Sequence, residues 1–266
     1  MMNNVDIPIL YHSKTSVCSQ KVRLVLAELN VEWQGIVVDL KKGEQFADEY
    51  LSVNPKASVP TYIENGSTLT ESNDIMLHLS KNALGDEQLF IDPDQIDDVM
   101  FWLDESVRFH KAVHVLTTLA LNRAKLQNLS DQELRDKLNR IPDKARAQRI
   151  FDVVQNGLAG IAASSSIIYL KNTFQKIETD LEQNAFLCGH KLSLADLAIL
   201  PFVKRIEFLQ LTPDWSGITF SNVQNWVQKL EVRPSFERAV LNFHSAEALE
   251  KYKVNGMPLR KELMKL

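Results

Sequence analysis

Two hydrophobic periods divide the chain. In the first eighty residues short apolar runs alternate with helical stripes, and beyond them one helical stripe follows another. The run "IPILYH" (7–12) predicts a strand, and "QKVRLVLAEL" (20–29) places Val22, Val25, Leu26 and Leu29 on one helical face. The β-branched run "WQGIVVDL" (33–40) predicts a second strand, parallel to the first through a right-handed crossover. "GEQFADEYLSVNP" (43–55) predicts a short helix stopped before Pro55, and "SVPTYIENGSTLTES" (58–72) predicts a hairpin turning at Asn65-Gly66. A helix then starts with Ser72 as its cap and turns Ile75, Met76 and Leu79 inward, which completes the order βαβαββα.

Residues 84–94, "LGDEQLFIDPD", carry Gly, Pro and acids without periodicity and read as a linker. The expected organisation is an α/β domain over 5–83, that linker, an all-α helical bundle over 95–255 and a tail over 256–266. In the second part Ile96, Val99, Met100, Leu103 and Val107 form one stripe, and Ile167, Leu170, Phe174, Ile177 and Leu181 another. "LSLADLAILPFVKRIEFL" (192–209) is apolar nearly all round at its start, as the central helix of a bundle is, and Ser193 and Asp196 make a capping pair at its entry.

At 266 residues, 45% hydrophobic and 24% charged, the chain has ordinary globular composition. A net charge of −4 without long blocks of one sign argues against nucleic acid or an anionic membrane as partner. No run approaches the ~20 apolar residues of a membrane span, and "MMNNVDIPIL" lacks the features of a signal peptide, so a cytoplasmic protein with two free thiols, Cys18 and Cys188, is expected. His110 and His114 have helical i, i+4 spacing but lack the glutamate of a zinc helix, so no metal is expected.

The chemistry concentrates in "YHSKTSVCSQKVRLVLAEL" (11–29), where Ser16 and Cys18 sit between the first strand and the helix after it. Unpaired amides and the positive end of the helix dipole stabilise an anion there, either the Cys18 thiolate or the thiolate of a bound substrate that receives the Ser16 hydroxyl. The same placement also suits a Cys18 packed inward and a Ser16 that only caps the helix. In "SVPTY" (58–62), Pro60 is a candidate cis proline that would turn the Val59 backbone outward toward an extended ligand. Glu71 and Ser72, at the next helix N-terminus, suit a ligand carrying both ammonium and carboxylate groups, although an ordinary hairpin and cap read the same way. Arg140, Arg146 and Arg149 form a basic cluster, either a solvated face or a receiver for an acidic substrate group.

With these motifs the chain resembles the cytosolic glutathione transferases, most specifically in "SVCSQKVRLVL", "GEQFADEYLSVNPKASVPTY", "TES" and "FLCGHKLSLADLAILP". Within that family it is similar to the zeta class and to tetrachlorohydroquinone reductive dehalogenases, whose motif reads Ser-x-Cys-Ser followed by basic, x, Arg. The resemblance implies a thioredoxin-like first domain, glutathione as co-substrate, an electrophilic small molecule as the second substrate, and a homodimer. It implies that Ser16 aligns with the glutathione sulfur and that Cys18 attacks a glutathione conjugate. It also implies that Gln45, Lys56, Val59, Glu71 and Ser72 hold the tripeptide, with Phe109, His110 and Arg146 as candidates for the electrophile wall. Val17 stands where the zeta motif has a second serine, which moves the pattern from isomerase toward dehalogenase. The segment 129–160 looks like the extended helical segment of dehalogenases and of bacterial lignin β-etherases. The implied functions are glutathione conjugation or reductive cleavage, with a non-catalytic binding or regulatory protein and a cis-trans isomerase as alternatives.

Overall fold

Strand β1 (Ile9–His12) lies at the centre of the first part of the chain, because its apolar residues are shared by neighbours on both sides. In the computed structural model, which describes residues 7–82 and 93–265, β1 pairs in parallel with β2 (Gln34–Val37) and antiparallel with β3 (Thr61–Glu64). Strand β4 (Ser67–Leu69) returns from β3 through Asn65 and Gly66, both at positive φ, the backbone of a tight two-residue hairpin. The sheet order is β2-β1-β3-β4, the thioredoxin-like arrangement, with helix α1 (Val17–Glu28) crossing over between β1 and β2. Helix α2 (Asp48–Val53) and helix α3 (Ser72–Asn82) complete this part. The linker expected at 84–94 lies mostly outside the described residues, and Pro93–Gln95 form a single 3₁₀ turn.

The remainder is helical: α4 (Ile96–Thr117), α5 (Arg123–Gln127), α6 (Asp131–Asn139), α7 (Lys144–Asn156), α8 (Ile161–Asp180), α9 (Leu194–Phe208), α10 (Ser221–Glu231), α11 (Pro234–Ala239) and α12 (Ala246–Leu263). The tail expected from residue 256 is instead the second half of α12. Gly256 sits so close to the Leu209 carbonyl that any Cβ would overlap it, and this contact holds the helix on the end of α9. No single helix among the described residues is long and apolar enough to cross a membrane.

Helix α9 is buried over nearly its whole length, as its all-round apolar pattern predicts. The stripe on α8 is buried throughout, whereas the stripe on α4 splits. Val99 and Leu103 enter the core, while Ile96, Met100 and Val107 remain outside, because the helix has bundle neighbours on one side of that stripe only.

Helix α1 is buried on both faces, between the sheet and helices α9 and α11. The sequence pattern assigned it one buried face, yet Lys21 and Arg23 are each 1% exposed. Arg23 donates to the Ala239 carbonyl at 2.8 Å, to Lys14 O at 2.9 Å, to Ser13 O at 3.2 Å and to His12 Nδ1 at 3.0 Å, and its guanidinium lies 3.9 Å from the Phe243 ring centre. Those bonds fasten the loop that precedes Ser16 to the helical part. Burial, then Arg23 and then Lys14 hold the His12 pKa down at about 4, so the imidazole is neutral and accepts. At the far end of α1, Arg233 grips the Glu28 carboxylate through two 2.7 Å bonds.

Candidate active site

A cleft of about 910 Å³ opens between the loop 13–18, the segments 37–45 and 57–59, the inner faces of α4 and α7, and the loop leading into α12. That volume lies at the upper end of the usual ~300–1,000 Å³ range for a ligand site.

Ser16 caps α1. Its backbone is extended, and its Oγ accepts the Ser19 amide at 3.3 Å, which leaves the hydroxyl proton to donate into the cleft. Cys18 is the second residue of the helix, within the turn whose amides have no helical partners, and its half-buried side chain lines the same cleft. Burial disfavours the Cys18 thiolate. His110, through its charge and hydrogen bond, together with the Lys21 charge and the Ser72 hydroxyl, outweighs that burial, so the pKa falls from about 9 to about 7.

Lys21 supplies its charge from inside the protein. Its ammonium donates to Asn73 Oδ1 and, at 2.9 Å, to Ser106 Oγ, and no carboxylate pairs with it among the described residues. Burial pulls its pKa down to about 8, against the attraction of Cys18 and Glu71. Asn73 also donates to the Leu103 carbonyl at 2.8 Å, so one polar network joins α1, α3 and α4 beneath the thiol.

The loop opposite is equally fixed. Asn54 Nδ2 donates to Ser58 O at 2.9 Å and to Thr61 Oγ1 at 3.0 Å, the Tyr50 hydroxyl also donates to Ser58 O, and the Val59-Pro60 bond is cis. Val59 therefore faces the cleft from a braced backbone.

Of the residues read from the sequence, Ser16, Cys18, Gln45, Val59, His110 and Arg146 all line this cleft. Ser72 is the first helical residue of α3 rather than its cap. The Glu71 carbonyl accepts the Ile75 amide in the cap position, which frees the Ser72 hydroxyl for Cys18. Lys56 and Glu71 are exposed and form a 2.5 Å ion pair with each other just beyond the lining. Phe109 is not a wall residue. It is wholly buried among Tyr169, Phe174 and Phe202, because its neighbour His110 takes the cleft-facing side of α4.

Among the described residues, five buried polar atoms on the cleft walls lack a hydrogen-bond partner: Gln45 Oε1, Thr117 Oγ1, Arg146 Nε, Arg205 Nε and His244 Nε2. Natural interiors leave few such groups, so these atoms are available to water or to a polar ligand in the cleft. Arg205, from α9, donates through Nη2 to the Thr15 carbonyl and so braces the loop ahead of Ser16.

Two family models match the chain: the N-terminal domain of glutathione S-transferases over residues 15–82 and their C-terminal domain over residues 169–234. The chain belongs to the glutathione S-transferase family. Tetrachloro-p-hydroquinone reductive dehalogenase of Sphingobium chlorophenolicum is 27% identical over 245 residues, covering 86% of this transferase and 94% of the relative. The transcriptional regulator URE2 of Saccharomyces cerevisiae is 27% identical over 253 residues, 87% of this chain and 67% of the yeast protein. Among solved structures, β-etherase LigF of Sphingobium sp. strain SYK-6 shares the fold with a TM-score of 0.74 at 21% identity, over 87% of this chain and 98% of LigF.

Sequence reading of the transferase gave no role to Lys21, Arg23, Arg205 or His244. The first two carried a signal, since Lys21 and Arg23 flank the apolar Val22 in a largely apolar stretch and cannot both reach water when that helix is packed on two sides. Arg205 and His244 gave none, because they meet Ser16 and the cleft only through tertiary structure.

Proposed function

We propose that the protein binds glutathione along the sheet side of the cleft, with its thiolate between the α1 N-terminus and the Ser16 hydroxyl, and directs it at an electrophilic carbon of an aromatic co-substrate. The observation that carries this reading is the placement of Ser16 and Cys18 together at the α1 N-terminus, lining one cleft with His110 beside the thiol. Backbone amides and the helix dipole stabilise sulfur anions at that point, and the neighbouring hydroxyl adds a donor. Gln45 and Val59 line the wall on which the tripeptide would extend. Glu71 and Ser72 are the residues for its γ-glutamyl end and Lys56, which pairs with Glu71, for its glycyl carboxylate.

In the first step the glutathione thiolate forms a C–S bond and a halide or aryloxide leaves with the bonding electrons. In the second, the Cys18 thiolate attacks the glutathionyl sulfur. The C–S bond breaks, its electron pair stays on carbon and takes up a proton, and Cys18 is left in a mixed disulfide with glutathione. A second glutathione thiolate then releases Cys18 and departs as glutathione disulfide. The sum is one organic halide and two glutathione molecules giving the reduced organic molecule, halide, a proton and glutathione disulfide. The similarity to the reductive dehalogenase over most of both chains supports this sequence.

The test is glutathione consumption with activated aryl halides. Turnover is expected, with Ser16→Ala lowering kcat by about a hundredfold, the usual effect of losing one donor to a developing anion. Glutathione binding without turnover would instead favour the regulatory reading, which the similarity to URE2 raises. A cytoplasmic location agrees with the two unpaired cysteines. The exposed Met100 and Val107 on α4 and Ile168 on α8 offer an apolar face for a homodimer, which sedimentation velocity would detect.

A further inference from the structure

We infer that the electrophilic co-substrate carries an acidic oxygen group, a carboxylate or phenolate, which Arg146 receives on the α4–α7 wall of the cleft. This rests on the transferase reading above and names the class of its second substrate.

The wall is laid out along one face of α4. His110, His114 and Thr117 follow each other at helical spacing, and Arg146 of α7 stands against them. The Arg146 guanidinium donates no hydrogen bond to any described residue, and both its Nε and the Thr117 Oγ1 are buried without a partner. Asp143 balances part of its charge but accepts nothing from its guanidinium. One Asp143 oxygen caps α7 by accepting the Arg146 backbone amide at 2.9 Å, and the other lies 3.7 Å from Arg149. Arg146 and Arg149 thus share one carboxylate, which is already engaged in the cap, and Arg146 is the one of the two that lines the cleft. His114 adds no charge, since burial, then Arg146, His110 and Arg149 push its pKa well below the ordinary value.

A half-buried cation with no acceptor is costly unless something brings one. Its planar fork suits a carboxylate or phenolate oxygen. Arg146 also feels the charge of Cys18, so an anion seated on it lies in the same cavity as the reacting sulfur. The site is stiff. Arg123 Nε donates to Val153 O at 3.0 Å and Gln127 Nε2 to Val154 O at 3.1 Å, tying α7 to the segment that continues α4. Arg140 lies 4.8 Å from the Phe46 ring and ties the entry of α7 to the sheet side.

The experiment compares 4-chloro-3,5-dinitrobenzoate with its methyl ester as substrates of the full chain, each rate divided by its uncatalysed rate with glutathione. The acid is expected to be favoured in kcat/KM by about tenfold or more, the effect of one charge-assisted hydrogen bond. In Arg146→Gln that preference should fall by a similar factor, and Arg146→Lys should restore part of it. Equal rates for acid and ester in the wild-type chain would overturn the inference and leave the transferase reading standing. So would a glutathione KM that rises in Arg146→Gln while the acid preference stays put, since Arg146 would then belong to glutathione. If neither chloride is consumed, the transferase reading falls. Tighter binding of unreactive 3,5-dinitrobenzoate than of its methyl ester would then uphold the acid site, and equal binding would overturn it.

Discussion

Cys18→Ser is expected to stop reductive cleavage while conjugation continues. On a panel of halogenated hydroquinones, the variant should accumulate the glutathione conjugate, with formation of the reduced aromatic down by at least about a hundredfold. The reason is electronic. Removing glutathione from the conjugate requires a nucleophile that is ionised near neutral pH and bonds well to sulfur. Cys18 meets that need through His110, Lys21 and its position in the first turn of α1, whereas a serine hydroxyl stays protonated. Cys188 offers no substitute, because burial and then the Asp196 charge drive its pKa up to about 12. Product chromatography decides the matter. An unchanged product ratio in the variant would return Cys18 to a packing role and leave Ser16 alone at the sulfur.

The largest loss of stability is expected from Asp196→Ala. The Asp196 carboxylate is fully buried at the start of α9 and accepts from Leu187 N at 2.9 Å, Ser193 N at 2.9 Å, Ser193 Oγ at 2.7 Å and Trp226 Nε1 at 2.8 Å. Burial raises its pKa, and those four donors oppose the rise. Alanine would leave all four unpaired in the core, at a cost of about 3–5 kcal/mol. For a chain of this size that is a fall in Tm of roughly 6–15 °C, measurable by thermal melting. Asp196→Asn keeps the shape and part of the acceptor capacity and should lose less than half as much. A Tm within about 2 °C of wild type for Asp196→Ala would mean that α9 is held by its apolar faces alone.

Much of this architecture was legible in the sequence because local rules and tertiary structure agree there. The Asn65-Gly66 hairpin, the capping pair at Ser193 and Asp196 and the stripe from Ile167 to Leu181 each follow from chemistry within a few residues. The loop carrying Ser16 and Cys18 was legible for the same reason, since a strand, a short polar segment and a helix put them at a helix N-terminus. What was not legible depends on which helix packs where. Phe109 and His110 are adjacent in sequence, and only the packing of α4 against α8 and α9 decides that one enters the core and the other faces the thiol. The end of α12 was hidden by Gly256 and Pro258, which weaken the helical pattern locally, yet Gly256 stands where α12 crosses Leu209. Lys21 was visible as a residue and invisible as a buried charge, because its acceptors come from α3 and α4.

The most direct measurement is the pH dependence of Cys18 alkylation by iodoacetamide, followed by peptide mass in the free protein. With a pKa near 7, the rate should rise as pH increases through that value and level off above it. At pH 6 it should still be about a tenth of its plateau, against roughly three parts in a thousand for an ordinary thiol of pKa about 8.5. His110→Phe removes the largest of the effects that favour the thiolate and should carry the midpoint upward. A wild-type midpoint at or above 8.5, unmoved by His110→Phe, would contradict a thiolate held at the α1 N-terminus for chemistry with glutathione.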